Sequence, residues 1–195
     1  AEPPSSSGRA AVSASSASGL EDAAAPIAIS LAGSDVDGTI THLTVVDLPA
    51  HGTLYADAAM TQPITAGALI SGASGTVFFK PDANWNGSTS FHFTATDNNG
   101  GVSSPATASI GVTAVNDAPV AANDSGSVLE DATLSVSAAN GLITSTATPA
   151  GADTDVDGDA LHVSAIRTGS ETGSGTSGAV GTALTGTFGT LTLQT

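Results

Sequence analysis

Apolar and polar residues alternate with a period of two through several short stretches of this chain, and no window of comparable length carries helical periodicity. Over residues 90–96, Phe91, Phe93 and Ala95 share one face; over 106–115, Ala108, Ile110, Val112 and Ala114 do the same. Strict alternation marks strands buried on one side only. Further Thr-, Val-, Ile- and Phe-rich runs bounded by Gly, Asp, Asn and Pro predict strands near 27–32, 39–47, 53–55 and 76–80. The chain is therefore expected to be all-β, in the form of immunoglobulin-like sandwiches. Hydrophobic residues make up 40% of it but aromatics only 4%, so small aliphatic side chains must fill most of the core.

A repeat sets the domain organisation. Leu20-Glu21-Asp22 returns 109 residues later as Leu129-Glu130-Asp131, and Asp35-Val36-Asp37-Gly38 returns 120 later as Asp155-Val156-Asp157-Gly158. His42 and His162 keep the second offset, and Gly52-Thr53-Leu54 is echoed by Gly189-Thr190-Leu191. Two units in tandem fit the ~100-residue size of such sandwiches. We place a Pro-, Ser- and Ala-rich linker at 1–19, with at most a short first strand near 10–17. A complete sandwich follows at 20–115, then a linker at 116–119 (Asn116-Asp117-Ala118-Pro119), then a second sandwich at 120–195. By comparison with the first, the second stops about halfway and is expected to lack its last strands. The chain reads as a piece of something longer, with no signal peptide visible.

The charge limits the partners. Asp and Glu number 18 against 3 Lys and Arg, giving −15. Nucleic acid needs clustered cations to displace phosphate counterions, and Arg9, Lys80 and Arg167 stand alone. Attraction to an anionic membrane fails for the same reason, and no apolar run is long enough to span a bilayer. There are no cysteines, so disulfides and thiolate metal sites are excluded.

The carboxylates are clustered, which points to a cation. Asp153-Thr154-Asp155-Val156-Asp157-Gly158 sets alternate carboxylates in a tight turn, suited to a hard ion taking six to eight oxygens. Two unit charges ~4 Å apart repel by ~4 kcal/mol at an effective dielectric of ~20, so such a loop needs a counter-ion. It is not an EF-hand: the twelfth position from Asp153 is Ser164, and strand-like sequence follows. A single Asp-Gly is equally well a turn former; the repetition favours ligands. Sandwich loops alternate between the two ends of a domain. Asp35, Asp37 and Asp97 are thus expected at one end of the first unit, and Glu21, Asp22 and Asp82 at the other. Glu21, Asp82, Asn116, Asp117, Asp155 and Asp157 are expected to share an interdomain calcium ion that stiffens the joint. Glu130 and Asp131 repeat the Glu21-Asp22 pair, but the downstream partners of that site are missing from the sequence.

These residues resemble the cadherin-like and VCBS-type repeats of large bacterial adhesins, including RTX-type surface proteins. In the first unit the resemblance rests on Leu20-Glu21-Asp22, the Asp35–Gly38 motif, Phe79-Lys80-Pro81-Asp82-Ala83-Asn84-Trp85-Asn86-Gly87, Phe91-x-Phe93 before Asp97, and Asn116-Asp117-Ala118-Pro119. The second is similar to a VCBS repeat from Asp153 through Asp159 to Leu193. The resemblance implies an extracellular cell-surface location, calcium between or within repeats, neighbouring repeats of the same chain as partners, and type I secretion. It implies a stalk that holds an adhesive tip toward a host or abiotic surface, in cell adhesion or biofilm.

Other signals are weaker. Gly173-Ser174-Gly175-Thr176-Ser177-Gly178 matches a phosphate-loop pattern without the helix that pattern must open. His42, His51, His92 and His162 lack zinc spacing and read as strand-surface residues. No nucleophile elbow accompanies the abundant serines, so the chain is read as not an enzyme. The alternative is a calcium-dependent polysaccharide-binding module using Trp85 or Tyr55, although Trp85 is expected in the core; a third reading is an appendage to a secreted enzyme.

Overall fold

The computed structural model describes residues 9–137, 140–144, 151–169 and 174–194. The chain divides into two compact units, Ala1–Val115 and Asn116–Thr195. Among the described residues there is no α-helix, and the fold is all-β.

The first unit is a sandwich in which nine strands are described: β1 (Ala11–Val12), β2 (Ser15–Leu20), β3 (Ile27–Ser34), β4 (Ile40–Val45), β5 (Gly52–Tyr55), β6 (Leu69–Ser71), β7 (Ser74–Pro81), β8 (Gly87–Asp97) and β9 (Ala106–Thr113). One sheet has the order β1-β3-β7-β5 and the other β2-β9-β8-β4-β6. All pairings are antiparallel except β2 with β9. The alternation read from sequence becomes the core. Ile29, Leu31, Leu54, Val77 and Phe79 line the inner face of one sheet, and Leu43, Val45, Phe91, Phe93, Ala95, Ala108 and Ile110 that of the other; all are fully buried. Each large side chain so buried contributes roughly 1.5–3 kcal/mol. Ala114, expected on the buried face with Ala108, lies beyond the end of β9 and is exposed.

The linker expected at 1–19 is corrected from residue 11 onward: in place of one short strand near 10–17 there are two, and the second runs on to Leu20. Ala11–Val12 pairs with β3 at the rim of one sheet, and Ser15–Leu20 pairs with β9 at the rim of the other. Composition suggested a linker because its inward positions are small. They have to be: a Cβ on Gly19 would lie 2.5 Å from Ile27 Cγ1. Ladder hydrogen bonds and a neighbour's bulk hold this strand, rather than its own side chains. Residues 1–8 lie outside the described residues.

In the second unit the described strands are β10 (Ile166–Arg167), β11 (Ser177–Gly178), β12 (Leu184–Gly186) and β13 (Gly189–Leu191). They form two antiparallel ribbons, β10 with β11 and β12 with β13. Val120 and Thr154 bridge two further segments. The buried apolar residues described here are Ile166 and Leu184, while Leu129 and Phe188 are exposed. The Gly-rich run at 173–178 holds β11 and opens no helix among the described residues; Gly173 lies outside them.

Candidate cation sites

At the end of the first unit where β2 stops, Glu21 continues the pairing, its N–H donating to the Thr113 carbonyl at 3.0 Å. Its side chain turns inward and is 2% exposed. Oε1 accepts the Val115 N–H at 2.8 Å, while Oε2 is buried with no hydrogen-bond partner. A buried carboxylate oxygen without a partner is costly unless an ion or donor satisfies it. The neighbouring Asp22 has φ 51° and accepts the Asn84 N–H on Oδ1 at 3.1 Å. Lys80 Nζ donates to the Ala23 carbonyl and ties the same turn to β7. Asp82 is exposed just after β7, with its N–H on the His51 carbonyl at 3.0 Å.

At the opposite end of β3, the turn 35–39 meets the β8–β9 loop. Both Asp35 oxygens are buried with no hydrogen-bond partner, while the intervening Val36 is 94% exposed. The turn thus drives the carboxylate in and the valine out. A Cβ on Gly38 would lie 2.4 Å from Asp35 Oδ2 and 2.5 Å from Asn98 Oδ1, so both oxygens crowd one point that only glycine leaves free. Asn98 donates its N–H to the Thr39 carbonyl and accepts the Thr39 N–H on Oδ1, each at 2.9 Å. Asp97 is 5% exposed, and its Oδ1 accepts the Asn99 and Gly101 N–H groups, each at 2.8 Å. Asp37 is exposed beside them. Asn98 was missed in sequence; its position in the Asp-Asn-Asn-Gly-Gly turn was the available signal.

The second unit gathers a different set. Asp155 Oδ1 accepts the N–H groups of Asp157 (2.9 Å) and Asp159 (3.3 Å), and Asp157 Oδ2 accepts the Asp117 N–H at 2.7 Å. Asp153 Oδ1 accepts the Ala122 N–H at 2.8 Å. Asn116 donates its side-chain amide to the Asp117 carbonyl at 2.9 Å. Asp117, Asp153, Asp155 and Asp157 are therefore neighbours along one bridged pair of segments. Glu130 and Asp131 are exposed in a separate turn, with Asp131 at φ 59°. Of the six residues expected to share one ion, Glu21 and Asp82 belong to the first unit and the other four to the second.

Among the described residues no three His, Asp or Glu side chains converge closely enough to hold a metal as they stand. In the second unit Asp153, Asp155 and Asp157 each accept backbone N–H groups. Buried carboxylate oxygens without a hydrogen-bond partner include Glu21 Oε2 and the Asp35 pair in the first unit and Asp124 Oδ1 in the second. Hard anionic oxygens with carbonyl and amide oxygens close by match the donors calcium takes.

Two histidines depart from a plain strand-surface role. His51 lies in the turn before β5 with φ 59°, its ring stacked on Trp85 with centroids 4.7 Å apart and planes at 10°. Trp85 is half-buried and packs against the core. His92, on the outer face of β8, places Nδ1 2.7 Å from Asp47 Oδ2, and its backbone N–H donates to Asp47 Oδ1 at 2.6 Å. Burial pushes the Asp47 carboxyl up, but the hydrogen bonds and charge of His92 outweigh it and hold the group below the ordinary carboxylate value.

A family model described as a cadherin-like domain matches residues 7–113. No curated protein matches the chain. Among solved structures, one of the fibronectin(III)-like modules of Clostridium thermocellum CbhA is similar at 16% identity, covering 54% of this chain and 97% of that one with a TM-score of 0.31.

Proposed function

The chain belongs to the cadherin-like domain family, and we propose that it is a calcium-binding structural module of a secreted bacterial surface adhesin, without catalytic activity. Calcium is held by Glu21, Asp22 and Asp82 at one end of the first unit and by Asp35, Asp37 and Asp97 at the other, with Asn98 contributing an amide oxygen. In the second unit the ligands are Asn116, Asp117, Asp153, Asp155 and Asp157, with Glu130 and Asp131 forming a separate partial site. The bound ions stiffen the chain, which serves as a spacer of the VCBS and RTX kind, outside the cell.

The observation that carries this reading is Glu21. A carboxylate 2% exposed, with one oxygen on a backbone N–H and the other on nothing, lacks a partner that a divalent cation supplies. Asp35 repeats the situation at the other end. Support for the polysaccharide-binding alternative is weaker, because a sugar needs an open aromatic face and Trp85 carries His51 on its own.

Thermal unfolding followed by circular dichroism in chelator, in millimolar calcium and in magnesium tests the proposal. An ion at ~100 times its dissociation constant stabilises by ~2.7 kcal/mol, worth ten degrees or more at ~4–8 °C per kcal/mol. A calcium-specific rise of that size supports it. Superimposable curves in all three solutions would reduce the carboxylates to turn formers.

A further inference from the structure

We infer that His51 and Trp85 are positioning residues for the cation site formed by Glu21, Asp22 and Asp82; the inference rests on the calcium reading above. Three loops of the first unit are tied together by hydrogen bonds, and each holds a non-glycine residue in the left-handed region: Asp22 at φ 51°, His51 at 59° and Asn84 at 55°. Among the other described non-glycine residues only Met60 and Asp131 have a positive φ. Backbone strain gathered in one place by contacts that over-determine it is a mark of functional positioning.

The contacts form a continuous path. The His51 carbonyl accepts the Asp82 N–H at 3.0 Å, and the Trp85 N–H donates to the Asp82 carbonyl at 3.3 Å. The Trp85 ring lies against the His51 ring, closing that turn from the side-chain face as the hydrogen bonds close it from the backbone. One residue earlier, the Asn84 N–H donates to Asp22 Oδ1. The stack therefore fixes the loop that sets both the Asp82 backbone and one oxygen of Asp22. Gly87 completes the arrangement: at φ 139°, a Cβ there would stand 3.2 Å from Trp85 Cζ2, so a side chain would press on the indole. Neither ring offers a calcium ligand within this path; they act by holding the residues that do.

Two substitutions separate positioning from folding. H51G suits the left-handed backbone and removes the ring; H51F keeps a flat ring to stack. Trp85 is the sole tryptophan, so its emission reports calcium arriving at this end of the unit. H51G is expected to melt in chelator near the wild-type temperature yet need about tenfold more calcium to reach its fluorescence midpoint, the usual scale for groups that orient metal ligands. H51F is expected to titrate close to wild type. A calcium response in the wild type that H51G reproduces at the same midpoint overturns the positioning role and leaves the calcium reading standing. No response in the wild type, by emission or by calorimetry, overturns the calcium reading and this role with it.

Discussion

Glu21→Gln keeps the shape of the side chain and removes its charge, and its effect on stability should change sign with calcium. Glu21 is 2% exposed; Oε1 accepts the Val115 N–H, an interaction the glutamine carbonyl can retain. What changes is the second oxygen, buried and without a partner, which becomes a neutral amide nitrogen. An unsatisfied buried polar group costs about 1–3 kcal/mol, and more when charged. Exchanging a charged orphan for a neutral one should therefore stabilise the first unit in chelator by about 1 kcal/mol. At ~4–8 °C per kcal/mol, its melting temperature rises by about that interval.

In calcium the order reverses. The wild type gains ~2.7 kcal/mol at ~100 times its dissociation constant, while the variant has lost a buried anionic ligand and gains little. The wild type then melts above the variant by a margin larger than the deficit it showed in chelator. Trp85 lies in the first unit and is the sole tryptophan, so melting followed by its emission isolates the relevant transition. A variant less stable than wild type in chelator, with the same shift on adding calcium, would refute the reasoning. Glu21 would then be only an acceptor for the Val115 N–H.

Phe91→Ala removes a fully buried side chain opposite Ala108 and should cost ~3–5 kcal/mol by urea denaturation, with or without calcium. Gly38→Ala puts a methyl where the Asp35 and Asn98 oxygens stand; because both are side-chain ends that can swing away, calcium affinity by calorimetry should fall more than chelator stability does. The Asp47 carboxyl is held below its unfolded value, so its pairing with His92 stabilises above about pH 4 and is lost as pH falls through the folded value. The melting difference between wild type and Asp47→Asn should be small, since the pair is exposed, and should vanish at the acid end of a pH series. Hydrogen exchange should be faster in the second unit, where Ile166 and Leu184 are the buried apolar residues described, than in the strands around Phe79 and Phe93.

The strands legible in the sequence were those whose own side chains hold them. Phe91, Phe93 and Ala95 alternate and are all fully buried, because period-2 patterning and burial on one sheet face are the same fact. Ser15–Leu20 was legible only as the tail of a short strand near 10–17, because a rim strand facing Ile27 can be built from Ser, Ala and Gly. Leu69–Ser71 escaped because three residues, one of them 64% exposed, leave no period to read. The acidic residues could be assigned to loops, since Asp beside Gly marks a turn. Which carboxylate oxygens lack donors could not be read, because that depends on the far-off N–H groups each turn happens to reach: Val115 for Glu21 and Asn84 for Asp22. His51 and Asn98 are invisible on the same grounds. Their roles exist only once residues 34 positions away at Trp85, or 59 away at Thr39, arrive beside them.

The placement of charge in the first unit implies a division of labour between core and ends. Its buried apolar residues form one cluster between the two sheets. Its buried acids, Glu21 and Asp97, sit where strands stop, and Asp35 lies in the turn that follows β3. A strand of eight residues separates the turn at Asp22 from the turn at Asp35, roughly 25 Å of extended chain. At that distance, about three Debye lengths at physiological salt, the two ends interact only weakly. On the proposed reading, an ion at either end tightens its own loops without repacking the sandwich between them. The core specifies the fold, and calcium would set the stiffness of the places where one cadherin-like domain gives way to whatever adjoins it.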